Sequence, residues 1–276
     1  MDVSAPAASG GTLLPRAGHR AALPEPVTFV LIALAGLLAG VASGLFGVGG
    51  GVLMVPAALY LVPGTSFKVA KAVSLLVIVA SAGIGVYTHR RKRSVDFATG
   101  ALLAAGGFVG AAASAFLVES VADDALRAGF GVLLALTGAR LAWGATPRPR
   151  DLAGPRHVAF VVALGFAAGL VAGAFGVGGG ILMVPGLVFA GVGVHLAVGT
   201  SLVAVLVNAV GGTVAHLGLG YGATLLGLGV PLALGAVPGT RLGSLLAHKL
   251  HADRLRRAFG LFLVAIGLLM FLQGAA

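Results

Sequence analysis

The residues best suited to chemistry in this chain are two runs of glycine: Gly47, Gly49, Gly50 and Gly51 in one part, and Gly176, Gly178, Gly179 and Gly180 in another. Contiguous glycines do not line a helix face. They unwind the helix, because glycine gives up more conformational freedom on ordering than any other residue. Inside a bilayer, unwound backbone is tolerated only where it is buried in protein or lines a cavity. The N–H groups it frees, together with the N-terminus of a helix starting at Val52 or Ile181, form a cradle for an anion. A tight turn between two packed helices would use the same glycines, and both uses stay open at this level.

Polar side chains near these runs extend the picture. Ser74 and Ser81 stand seven residues apart, and Ser201 and Asn208 repeat that spacing; two helical turns put each pair on one face. Asn208, with Thr200 and Ser201 at the start of the same helix, is placed to complete a polar wall opposite the cradle, with plain interhelical hydrogen bonding as the competing use. Arg241, in Pro238-Gly-Thr-Arg-Leu-Gly243, has a planar fork suited to an oxyanion, yet it stands near enough to a segment end to snorkel. Lys68 and Lys71 either gather anions at an entrance or anchor a helix end. His89, His195 and His216, near segment ends, are the candidate proton carriers, and they are too scattered to suggest a metal site. The chain has no cysteine, which excludes thiol chemistry and disulfides. No metal, no cofactor and no catalytic residue is expected.

The elements that must position these residues come in two copies. Gly36 to Pro56 reads GLLAGVASGLFGVGGGVLMVP and Gly165 to Pro185 reads GFAAGLVAGAFGVGGGILMVP, identical at 14 of 21 positions. The match continues, with a two-residue gap, from Ser74-Leu75 to Ser201-Leu202 and from Phe130-Gly131 to Phe259-Gly260. A leading segment with the sequence of the first copy could pass for a signal peptide, but its interior twin excludes that. The chain therefore divides into a disordered tail at 1–26, a first repeat at 27–144, a linker at 145–157 and a second repeat at 158–276. Each repeat shows five apolar segments, the second of which is short enough for a half-helix. Gly36, Gly40 and Gly44, like Gly165, Gly169 and Gly173, recur every four residues and mark a face for close helix packing.

Composition decides the environment. Of 276 residues, 58% are apolar and 9% charged, against about 25% charged in soluble domains, and stretches such as 27–46 exceed the roughly 18 apolar residues that mark a membrane helix. The expected fold is all-α: a polytopic, multi-pass helical protein in the lipid bilayer. The net charge of +10 does not indicate nucleic acid, because 11 of 18 basic residues fall in three short loops, Arg90 to Arg93, Arg148 to Arg156, and Lys249 to Arg257. Such loops face the cytoplasm. An odd number of crossings per repeat then inserts the two halves in opposite orientations, with both termini outside, the inverted plan of secondary transporters. A homo-oligomer is compatible with all of this.

The doubled pattern GxxSGxxGxGGGxxxxP, Gly40 to Pro56, with its degenerate copy from Gly169 to Pro185 and the triplet Thr200-Ser201-Leu202, resembles the sulfite exporter TauE/SafE family over residues 30–273. The resemblance implies an inner-membrane permease for a small anionic sulfur compound, sulfite or an organosulfonate. Val73 stands where the triplet has threonine, and Ala172 stands where the first copy has Ser43, so the site is expected to be asymmetric. No Asp or Glu falls within an expected span, and an inside-negative potential drives anions outward; export by alternating access without a coupling ion is the reading. A passive anion channel is the nearer alternative. An intramembrane serine protease built on Ser43 is the more distant one.

Overall fold

The computed structural model describes residues 26–46, 50–62, 65–144, 154–218, 222–246 and 252–275. Among them the regular elements are helices: α1 (Pro26–Phe46), α2 (Gly51–Leu61), α3 (Phe67–Arg91), α4 (Phe97–Glu119), α5 (Asp123–Trp143), α6 (Pro155–Phe175), α7 (Gly180–Phe189), α8 (Val194–Gly218), α9 (Gly222–Leu246) and α10 (Ala252–Ala275). The tail up to residue 25, the linker from 145 to 153, Gly47, Gly49, and the basic residues Arg148, Arg150 and Lys249 lie outside the described residues.

Among the described residues, seven helices are long and apolar enough to cross a membrane: α1, α3, α4, α5, α6, α8 and α9. The protein is a polytopic helical membrane protein. Its outer surface agrees, since Leu38, Leu117, Leu136 and Leu272 are each about two-thirds exposed; apolar side chains in such number belong against lipid rather than water. α3 and α8, 25 residues each, extend about 37 Å and exceed a hydrocarbon core of about 30 Å. α2 has 11 residues and α7 has 10, about half that depth. Both are half-helices, as their length in sequence predicts.

The four-residue glycine spacing lines the tightest interfaces. α1 runs parallel to α9, with Gly36, Gly40 and Gly44 set on the backbone carbonyls of Leu232, Ala236 and Thr240, while Gly235, Gly239 and Gly243 meet Ala33, Leu37 and Val41 in return. α6 packs in the same way on α4, with Gly165, Gly169 and Gly173 on Leu103, Gly107 and Ala111. At each point a Cβ would overlap backbone, so these pairs pack at the distance only small residues permit.

Two further pairs are antiparallel. Gly85 of α3 meets Leu202 of α8 and Gly212 meets Leu75, while Gly131 and Gly138 of α5 meet Gly267 and Gly260 of α10. Exchanging the halves turns the α1–α9 pair into the α6–α4 pair and returns α3–α8 and α5–α10 to themselves. α3 and α8 form the buried centre, where Leu75, Val77, Ile78, Leu202, Ala204 and Val205 are almost wholly inaccessible.

Candidate functional site

The two glycine breaks meet at the middle of the molecule. Gly51, at the start of α2, lies against the second break: a Cβ there would be 2.7 Å from the Gly176 carbonyl oxygen and 2.7 Å from Cα of Val177. Ile78 and Val205 flank this point, Ile78 touching Gly51 and Gly178, and Val205 touching Gly178. Each is the middle residue, within one, of its 25-residue helix, so the breaks lie near mid-depth. Gly50, Gly176, Gly178 and Gly179 have φ of +75°, +71°, +72° and +80°, in the left-handed region where a side chain is strained. Gly50 and Gly179 begin the half-helices, and neither α2 nor α7 receives a side-chain cap. The positive ends of two short helices thus point into the buried centre. Gly180, the first residue of α7, is buried there as well.

The second break is held from outside. Ser74 donates its hydroxyl to the Gly176 carbonyl at 2.6 Å and also to the Lys71 carbonyl at 2.8 Å. Lys71, 8% exposed, donates from Nζ to the Gly173 carbonyl at 3.3 Å, the charge a helix C-terminus favours. Phe67, Phe130 and Phe175 form an aromatic cluster with centroids 5.6 to 6.5 Å apart, tying α3 and α5 to the residue before the break. A lysine read in sequence as an entrance or anchor residue is instead buried: its stem lies against Gly176, whose missing side chain makes the room.

The polar residues singled out in sequence go to different places. Thr200 accepts a bond from the Asp96 backbone N–H at 3.0 Å, pinning the loop before α4 to α8. Ser201 donates to the Val198 carbonyl at 2.9 Å. Asn208 lies against Gly107 of α4, one turn beyond Val205, buried to 4% with neither amide atom hydrogen-bonded. Arg241 is exposed on α9, between buried Thr240 and Ser244 in sequence. Ser74 and the second break come together; Thr200 and Arg241 lie elsewhere. His89, expected at an interface, is 1% exposed, because Ser94 folds back on it with Nδ1 and Oγ 3.2 Å apart and Gly199 admits the Ser94 carbonyl.

The chain has relatives in sequence among known proteins. The family model described as sulfite exporter TauE/SafE matches residues 32–270. The chain belongs to the sulfite exporter TauE/SafE family. Among relatives, the probable membrane transporter protein YunE of Bacillus subtilis is 26% identical, the match covering 90% of this chain and 99% of that one. A probable membrane transporter protein of Xylella fastidiosa is 30% identical over 85% of this chain and 91% of its own, and one from Methanocaldococcus jannaschii is 27% identical over 74% and 79%. No solved structure is significantly similar to the chain.

For this TauE/SafE member, sequence reading missed a set of buried hydroxyls. Ser43, Thr240 and Ser244 are 0%, 0% and 1% exposed, and their oxygens have no hydrogen-bond partner. Ser43 is visible in the doubled pattern as the position that becomes Ala172. Thr240 and Ser244 carried no signal, because their importance depends on α9 lying on α1, a pairing of residues about 200 apart in sequence.

Proposed function

We propose that the protein is a permease, not an enzyme, that exports sulfite or a related sulfur oxyanion or organosulfonate by alternating access around the paired breaks. The observation that carries this reading is the meeting of two unwound, uncapped helix starts at mid-depth, where N–H dipoles replace the hydration of an anion without a full charge that would trap it. Family membership supports a transporter, and the family's description supports the sulfur substrate. Gly50, Gly51, Gly176, Gly178, Gly179 and Gly180 supply the cradle, and Asn208 contributes an unpaired amide. Ser74 and Ser201 hold backbone carbonyls near it, and Arg241 draws anions to the exposed side of α9. Gly47 and Gly49 complete the first break in this proposal.

The two halves insert with opposite orientation in this reading. Equivalent helices related by a two-fold axis run antiparallel only when the axis is perpendicular to them, and α3 on α8 and α5 on α10 are antiparallel. For spans that cross the bilayer, such an axis lies in its plane. Both termini then face outward and the Arg90 to Arg93 loop faces the cytoplasm of the bacterial inner membrane. A cysteine at exposed Lys92, unique in a chain without others, should resist an impermeant maleimide in intact cells and react after lysis.

Proteoliposomes test the activity. Labelled sulfite should exchange saturably, and efflux should accelerate when a potassium diffusion potential makes the lumen negative, while ignoring an imposed pH gradient once sulfite protonation is corrected for. Flux that rises linearly with concentration would establish the channel instead. Efflux that follows the pH gradient and loses that response in His216→Gln would establish proton coupling.

A further inference from the structure

Ser43, Thr240 and Ser244 belong to one buried spot. Thr240 and Ser244 are four residues apart on α9 and share a face. Gly44 of α1 rests on it: a Cβ at Gly44 would lie 2.9 Å from Ser244 Oγ and 2.6 Å from the Ser244 backbone nitrogen, directly over the Thr240 carbonyl. Ser43 precedes Gly44, and its Cβ is 3.3 Å from where a Cβ of Gly50 would stand. Ser43 therefore adjoins Gly50 at the uncapped start of α2, and Thr240 and Ser244 belong to the face of α9 on which the next residue, Gly44, rests.

A serine or threonine inside a helix ordinarily returns its hydroxyl to a carbonyl one turn earlier; Ser74, Ser81, Thr88 and Ser201 all do so here. Ser43, Thr240 and Ser244 do not. Three buried hydroxyls without partners on two packed helices lower stability and call for an explanation, which a ligand that they bond would supply. Around the second break the positions corresponding to these three are Ala172, Ala111 and Ala115.

We infer that Ser43, Thr240 and Ser244 form the oxyanion-binding wall of the first break, donating three hydrogen bonds to the oxygens of a small tetrahedral or pyramidal oxyanion. This deepens the proposed export of a sulfur oxyanion and rests on it for the substrate class. It makes the substrate site one-sided, with unpartnered hydroxyls from α1 and α9 and none among the described residues of α6 and α4. No fixed cation is required, which favours release as well as binding.

The test uses purified full-length protein titrated calorimetrically with sulfite, sulfate, thiosulfate, sulfoacetate, phosphate and nitrate. Ser43→Ala, Thr240→Val and Ser244→Ala should each weaken the best-bound anion about ten- to a hundred-fold, the range for a hydrogen bond to a charged group, and Thr240→Ser should restore it. The unliganded variants should melt no lower than the parent, because an unpaired buried hydroxyl has been removed. Affinity within two-fold of the parent in all three variants overturns the inference and leaves the export proposal standing. A lower melting point without ligand, with affinity unchanged, makes the hydroxyls structural and overturns it too. Phosphate or nitrate binding that depends on the three hydroxyls, with no sulfur anion bound, upholds the wall and removes the sulfur substrate. A parent that binds no member of the panel overturns both.

Discussion

Around the second break, Phe130 stacks on Phe175 and Phe67 meets it edge-on, Lys71 reaches the Gly173 carbonyl and Ser74 holds the Gly176 carbonyl. The residues that match Phe67, Lys71 and Ser74 in the other half are Val194, Val198 and Ser201. Beside the first break, conversely, Ser43, Thr240 and Ser244 present unpartnered hydroxyls where the corresponding positions beside the second break are alanines. Two nearly identical glycine sequences thus lie among different side chains: the phenylalanine and lysine that fasten the second break are valines in the other half, and the buried hydroxyls beside the first break are alanines beside the second. The lesson is that the same left-handed glycine at the start of a half-helix, Gly50 in one copy and Gly179 in the other, can be set among different neighbours: a lysine and aromatic clamp around the second break, unpartnered hydroxyls beside the first.

The harshest way to break the comparison is at what the halves share. Gly40→Leu on α1 and Gly169→Leu on α6 should both abolish folded protein, judged by loss of the monodisperse peak in detergent, because each side chain would have to displace backbone carbonyls. That exceeds the about 1–3 kcal/mol of ordinary overpacking. Survival of either variant would show that the matching interface is not tightly packed.

Next in size is the contrast between the breaks. Gly179→Ala suffers the left-handed backbone, about 1–2 kcal/mol, and also places its Cβ 2.8 Å from the Ala168 carbonyl. Gly50→Ala suffers the first cost, but its nearest obstacle is the flexible Met54 Cε at 2.9 Å. Thermal unfolding should therefore show Gly179→Ala as the less stable by about 1–3 kcal/mol. Both should lose sulfite binding, and normal affinity in both would remove the breaks from the site.

A smaller effect sharpens the idea of a clamp. Ser74→Ala leaves the buried Gly176 carbonyl without its donor and should cost about 1–3 kcal/mol, whereas the Ser43→Ala variant described above should cost nothing without ligand. Equal losses in the two would erase the distinction. For Arg241, sulfite affinity unchanged in both Arg241→Lys and Arg241→Gln would return that residue to membrane anchoring.

The smallest expected effect lies outside the spans. Asp96 caps α4, accepting from the Ala98 and Thr99 N–H groups and from the Thr99 hydroxyl at 2.6 Å. The Thr99 hydroxyl first, and then the backbone donors and His157, hold its carboxyl below the usual range against a degree of burial. A lowered folded value means stability that is present above the unfolded pKa of about 3.9 and disappears as pH falls through the folded one. Asp96→Ala should cost about 0.5–2 kcal/mol at neutral pH. The gap in melting temperature from the parent should close below about pH 4.

Much of this was legible in the chain. Apolar runs of 20 residues or more can only be spans, because burying that much hydrocarbon needs a bilayer or a core larger than 276 residues could build. Periodic glycines announced close packing, contiguous ones announced breaks, and 14 identities in 21 positions announced duplication. These features depend on local geometry and composition, so sequence alone determined a helical membrane protein of two repeats with a broken segment in each. It also marked Asn208 as a polar group at mid-span. Which helix lies on which was another matter. That α9 sets Thr240 and Ser244 against Gly44, that Lys71 is buried on Gly176, and that the breaks touch each other were decided by tertiary packing. A polar side chain becomes a ligand or a clamp only through what faces it, and its partner's identity is not written in its own neighbourhood of the chain.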